Sequence, residues 1–154
     1  MATLIAFRLP TCADIEYLAA HLRASDLAEL AAVSDLSPLQ AVQASVACSD
    51  PEFVFAVFAD QHLLAIGGAS PTLEPGVAAP WLLATSRIDA HLWTLTRQSR
   101  RILALMLGKY SCLSNVIDQR QHGTLRWLQS LGFSLTETLV YKPGIPLWRF
   151  ELRS

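Results

Sequence analysis

Residues 81–117, WLLATSRIDAHLWTLTRQSRRILALMLGKYSCLSNVI, decide the fold. Trp81 to Thr85 is an apolar run of the length of a buried strand, and Cys112 to Ile117 is a second. Between them, Asp89 to Tyr110 places Leu92, Leu95, Ile102, Leu105 and Met106 on one side and Arg97, Gln98 and Arg101 on another. That pattern predicts one long amphipathic helix, its apolar side laid on the sheet, stopping near Gly108 in a left-handed turn. Two strands joined by such a helical crossover pair in parallel.

Working outward, Phe53 to Ala59 (FVFAVFA) and Leu63 to Ala69 (LLAIGGA) flank a turn at Asp60-Gln61-His62 and read as an antiparallel hairpin. The Gly67-Gly68 pair marks a bulge or a close backbone approach. Ser70 to Pro80 carries three prolines and a glycine and reads as a loop. Near the start, Leu4 to Leu9 is a short strand. Helices follow through Ile15, Leu18 and Leu22, after a Ser25 cap with Asp26 in the first turn, and from Ser37-Pro38 to about Cys48. At the far end, Gln121 to Leu131 is a helix closed by Gly132. Phe133 to Tyr141 and Leu147 to Leu152 are strands around Lys142-Pro143-Gly144. The expected architecture is α/β (α+β), a mixed, twisted, mostly antiparallel sheet with a central parallel pair, flanked by helices, and residues 1–154 form one domain.

Hydrophobic residues make up 52% of the 154 and charged ones 16%, so the chain buries a substantial core. Twelve Lys+Arg against 13 Asp+Glu give a net charge of −1, with no field to gather phosphates, so a specific nucleic-acid ligand is not expected. Arg97, Arg100 and Arg101 read as a solvated helix face. Cys12, Cys48 and Cys112 are widely spaced and His21, His62, His91 and His122 lack ligand spacing, so no disulfide framework or metal site is expected. No signal peptide and no apolar run of ~20 residues is read, so no transmembrane segment is expected. Leu73, Val77, Trp81, Ile145 and Trp148 sit in or beside expected loops. They are read as a docking patch, for another protein or a second copy, or as anchors pinning those loops to the core.

Two stretches carry a resemblance: Leu113-Ser114-Asn115-Val116-Ile117-Asp118-Gln119-Arg120-Gln121, then Leu125-Arg126-Trp127-Leu128 and Leu131-Gly132-Phe133. With the element order, they resemble the GNAT superfamily of acyl-CoA-dependent N-acyltransferases, with Gln121 and Trp127 where the family block carries Asn and Tyr. A narrower resemblance is to the small GNAT-like internal virion proteins of short-tailed bacteriophages. It rests on Leu22-Arg23-x-x-Asp26, on Leu64-Ala65-Ile66-Gly67-Gly68 followed by Trp81-Leu82-Leu83-Ala84-Thr85-Ser86, and on Leu125-Arg126-Trp127-Leu128-x-x-Leu131-Gly132.

The resemblance implies that amides of Leu82, Leu83, Ala84 and Thr85, with Arg87 beside them, would hold a pantetheine arm. Asn115, Asp118 and His122 are the residues of the family block able to carry chemistry. The family's glycine-rich pyrophosphate loop is missing, because Ser86 to Trp93 contains no glycine and places Asp89 where the diphosphate would sit. Acetyl-CoA should then bind more weakly than ~1 mM. Trp127 cannot act as an acid, its indole N–H being a donor only, and it is read as a core aromatic filling space under the sheet. The leading expectation is therefore a virion-associated, internal core or ejection-type protein without a cofactor. It would lie in the virion interior or host cytoplasm, contact other virion proteins, and be capable of self-association. The alternative is an acyl-CoA N-acyltransferase using acetyl-CoA to modify a small molecule or a host or phage protein.

Overall fold

The computed structural model describes residues 3–154. In chain order the elements are β1 (Ile5–Arg8), α1 (Cys12–Ala20), α2 (Ala24–Val33), α3 (Pro38–Cys48), β2 (Val54–Ala59), β3 (His62–Pro71) and β4 (Val77–Ala84). After them come α4 (Leu92–Leu107), β5 (Cys112–Asp118), α5 (His122–Ser130), β6 (Ser134–Lys142) and β7 (Ile145–Arg153), with 3₁₀ turns at Pro51–Phe53 and Ser86–His91. The seven strands form one sheet in the order β1-β2-β3-β4-β5-β7-β6. Each neighbouring pair is antiparallel except β4 with β5, the parallel pair that the helical crossover requires.

The helices cover both faces. Leu18 of α1 and Val42 of α3 pack on Ala56, Ile66 and Leu83 on one face. Leu103 and Met106 of α4, with Leu125 and Leu128 of α5, pack on Leu113, Ile117 and Phe150 on the other. The buried stripe of α4 is Leu95, Leu103 and Met106 with Ile102 beside it, whereas Leu92 and Leu105, expected on that face, are exposed. Leu95, Ile102 and Met106 keep the expected side and Leu103 joins them, while Leu105 falls at its edge and Leu92 lies in the first turn of the helix. Gly108 ends it in a right-handed conformation (φ −72°), not the expected left-handed one, and the following N–H groups tighten onto Met106.

Other boundaries also shift. Ser37 caps α3 with a reciprocal Gln40 contact, as its Ser-Pro signal suggests, but Ser25 does not cap α2. Arg23 holds that position, and Ser25 lies in the first turn, where its carbonyl accepts from Gln121 Nε2 at 3.0 Å. The expected loop at 70–80 contracts to a turn between Pro71 and Val77, because β3 and β4 run through their prolines. In the expected docking patch, Leu73 is fully exposed, while Trp81 donates Nε1–H to Ser49 Oγ at 2.8 Å. Trp148 is half-buried against the core.

Gly67 and Gly68 mark a close approach; the irregularity between β2 and β3 lies at Val57/Phe58 instead. A Cβ on Gly67 would meet Leu82 Cδ1 at 2.8 Å and the Trp81 carbonyl at 2.9 Å, and one on Gly68 would run into the Phe53 carbonyl oxygen. That oxygen is backbone and cannot swing aside. Gly68→Ala is expected to cost roughly 1–3 kcal/mol, the range for overpacking, with the denaturant midpoint as the measurement.

A polar clamp joins the start of β2 to the end of α4. The buried Asp50 carboxylate accepts from Tyr110 Oη at 2.6 Å and from Lys109 Nζ at 2.7 Å, and these bonds hold its pKa down at about 2. Tyr110→Phe should cost about 1.5 kcal/mol at neutral pH, as for a hydrogen bond to a charged group. Because the folded pKa is depressed, the difference is present above the ordinary carboxylate range and fades as pH falls through about 2, which acid titration of both proteins would show.

Candidate functional site

The parallel pair is incomplete. β4 meets β5 only at Val77↔Cys112 and Ala78↔Leu113, and the strands then separate. Thr72 N–H donates to the Val77 carbonyl and Thr85 N–H to that of Leu64, so the odd-numbered residues of β4 bond to β3 and the even-numbered ones face β5. The first such position beyond Ala78 is Pro80, which has no N–H to donate and stops the ladder. Its carbonyl accepts from Asn115 Nδ2 at 2.9 Å, a side chain spanning the gap. Ala84, at the far end, gives its N–H to Asp26 Oδ2 at 2.7 Å and accepts from Arg23 N–H at 2.9 Å. Between them, Leu82 turns its N–H and C=O toward the open edge, where no partner lies among the described residues.

A cavity of about 430 Å³ occupies this opening. On the α4 and α5 side its wall includes Leu82, Ile102, Trp127 and Leu128, and on the α2 and α3 side Glu29, Leu30, Val33 and Trp81. Trp127 is half-buried, not a full core residue. It bridges the two helices by donating Nε1–H to Thr96 Oγ1 at 2.9 Å, because its side chain leaves α5 toward the cavity rather than into the sheet.

Glu29 is the functional group that the sequence reading missed. It stands in LAELAAV, a run apolar but for this one carboxylate, and its two oxygens accept the Asp118 N–H at 3.1 and 3.3 Å. Burial pushes its pKa up to about 7; the Asp118 N–H works against the rise, and the carboxylates of Asp118 and Asp26 add to it. Burial likewise raises Asp26, with Arg23 opposing. A group titrating near neutrality in a cleft is suited to taking a proton.

The residues singled out from the sequence divide in space. Asn115 lines the cavity and spans the β4–β5 gap. The Asp118 side chain lies outside the cavity lining, gripped by Arg120 Nε and Nη2 at 3.0 and 2.6 Å, and only its amide serves the site, through Glu29. His122 is exposed in the first turn of α5 and does not line the cavity. Leu82 and Leu83 line it; Ala84 is occupied by Asp26 and Arg23, Thr85 bonds into β3, and Arg87 is exposed outside it. Asp89 does not stand in the cavity either. Its side chain is 68% exposed and lies 3.9 Å from Arg23 Nη1, in the turn ahead of α4 where the sequence reading placed the diphosphate. Where the family places a glycine loop, this chain has the 3₁₀ turn Ser86–His91.

These features are those of a GNAT-like N-acetyltransferase fold: a mostly antiparallel seven-stranded sheet whose one parallel pair opens, with helices on both faces. The chain is similar to the ribosomal-protein-alanine N-acetyltransferase of Brucella melitensis, at TM-score 0.69 and 16% identity over 97% of this chain and 99% of the other. It is similar to a GNAT-family acetyltransferase of Streptococcus pneumoniae, at TM-score 0.61 and 12% identity over 97% and 99%. A third similar structure is the ribosomal alpha-N-protein acetyltransferase RimL in complex with coenzyme A, at TM-score 0.72 and 9% identity over 99% and 95%. No protein-family model and no curated protein matches the chain. The expected virion role is corrected by these matches, which are acetyltransferases sharing the fold along nearly the whole of both chains. The open β4 edge and its cavity are present, while Ser86–His91, where the resembled family carries a glycine loop, is a 3₁₀ turn without glycine. Among the described residues no helix is long and apolar enough to cross a membrane.

The pKa of Glu29 is open to direct measurement. Asp26→Asn removes a neighbouring carboxylate and leaves the Arg23 charge balanced only by the exposed Asp89, 3.9 Å away, and both effects favour the ionised Glu29. Its pKa should fall below that of the unsubstituted protein, read as the midpoint of the side-chain carboxyl ¹³C shift against pH.

Proposed function

We propose that the chain is an acyl-CoA-dependent N-acyltransferase in which Glu29 is the general base. The observation that carries this reading is the opening between β4 and β5, where the unpaired Leu82 amide and the Glu29 carboxyl line one cavity. The exposed edge of β4 fits a pantetheine arm, because its peptide groups offer the hydrogen bonds of a sheet edge to an extended amide-bearing chain. The acyl donor, a coenzyme A thioester, supplies an activated carbonyl. Leu82 N–H is placed to donate to that carbonyl oxygen as negative charge gathers there.

Glu29 removes a proton from the acceptor ammonium. The freed nitrogen lone pair attacks the carbonyl carbon, the C–N bond forms, the C–S bond breaks, and coenzyme A departs as the thiolate, which takes the second proton from the nitrogen as the neutral amide forms. A thiol pKa of about 8.5 makes the thiolate a leaving group that needs little help, so the absence of a tyrosine from the cavity lining, with Trp127 in its place, does not block the reaction. The largely apolar walls exclude water, which would otherwise compete for the acyl group.

Glu29 acts as the carboxylate, so kcat/KM should rise as pH increases through about 7 and level off above it. Glu29→Gln keeps an oxygen for the Asp118 N–H but cannot accept the proton. It should lower kcat/KM by ~10²–10⁴-fold and abolish the pH dependence, while acetyl-CoA still binds in calorimetry. An unchanged pH limb in Glu29→Gln, or no binding of acetyl-CoA to the unsubstituted protein, would overturn the proposal.

A further inference from the structure

We infer that the acceptor is a primary amine carried on an uncharged, apolar body. The inference rests on the acyl-transfer reading above and concerns the α2 and α3 side of the same cavity.

Charge at this end of the cavity is already committed. Asp26 is buried, and its Oδ2 receives the Ala84 N–H at 2.7 Å and lies 3.1 Å from Arg23 Nε. Arg23, the cation in the lining, makes no hydrogen bond through its buried Nε, but its charge is balanced by Asp26 and by Asp89, 3.9 Å from Nη1. Asp118 is filled by Arg120. Glu29 is the carboxylate left to receive an ammonium group, and it receives one.

A second ammonium on the acceptor, as in a polyamine, would enter this wall with no carboxylate to meet it. An acceptor carboxylate, as in an amino acid, would meet an Arg23 whose charge is already balanced by Asp26 and Asp89, and would stand near Asp26 and Glu29 as a like charge. Burying an unpaired charge in either case is heavily penalised.

The neutral lining points the same way. Leu30 and Val33 follow Glu29 along α2, and Trp81 faces them from β4 with its only donor already given to Ser49, so it offers the ring alone. Gln121, a polar side chain at the same end, spends its amide on the Ser25 carbonyl. What remains beside the Ser25 and Ser45 hydroxyls is hydrocarbon around Glu29.

The test is turnover of acetyl-CoA by the unsubstituted protein, followed as free thiol released, with 2-phenylethylamine, phenylalanine, spermidine and an alanine-led tripeptide as acceptors. Calorimetry of acetyl-CoA binding runs beside it. The expected result is kcat/KM for 2-phenylethylamine at least about 10²-fold above each of the other three, the scale on which an apolar pocket rejects an added polar group. Transfer to phenylalanine, spermidine or the peptide at an equal or higher rate would overturn the inference while leaving acyl transfer standing. Bound acetyl-CoA with no transfer to 2-phenylethylamine would also overturn it. Failure to bind acetyl-CoA would remove the reading beneath it.

Discussion

One missing hydrogen-bond donor shapes this protein. At Pro80 the central strand should offer its next N–H to β5, and it has none, so the parallel ladder stops after two residues and the sheet parts. Everything of chemical interest lies in that parting. The unpaired Leu82 peptide exists because the ladder failed before reaching it. Asn115 holds the parted strands at a fixed spacing by lending a side-chain donor to the Pro80 carbonyl. The long connection through α4 then closes the opening on one face while α2 closes it on the other. An antiparallel partner could have followed β4 closely through a tight turn. A parallel one returns from a helix, so its divergence costs the chain only a few ladder bonds.

The second constraint is how the N-terminal helices are tied to the strand ends. Asp26 and Arg23 satisfy both peptide groups of Ala84, and the amide of Asp118 reaches Glu29. The beginning of α2 is thereby pinned across the ends of β4 and β5, where each would otherwise present unsatisfied backbone groups to a buried space. The same contacts that complete the backbone accounting set the position of Glu29. Arg120, gripping the Asp118 carboxylate, keeps that carboxylate from competing with Glu29 for protons.

The fold was largely legible, because strand 81–85, helix 89–108 and strand 112–117 each carry a periodicity that tertiary packing did not override. Strand lengths were less so. Pro71 and Pro80 read as loop residues when they are edge-compatible positions in β3 and β4, and no local signal separates the two. The site was legible only where it coincided with the residue pattern of the resembled family, as at Asn115 and Leu82. Glu29 escaped because one acid in a helix is ordinarily a solvated residue. Its sign was the company it keeps, since every other residue of LAELAAV is apolar, on a helix too apolar to face water on that side. Asp89 stands where chain position put it, exposed in the turn ahead of α4 and outside the cavity lining.

The half-buried carboxyl of Glu29 also ties folding to proton concentration. Between an ordinary carboxylate pKa and about 7, the folded chain holds a proton there that the unfolded chain has released. Folding is therefore favoured by acid in that window, and the fold loses part of its stability as pH rises to about 7, after which this contribution is constant. Ionised Glu29 is the form that can take a proton, so the molecule grows more reactive and less stable over the same pH interval. The tension is local to one side chain, and the polar ties of α2 to the strand ends are what hold the helix in place while it is charged.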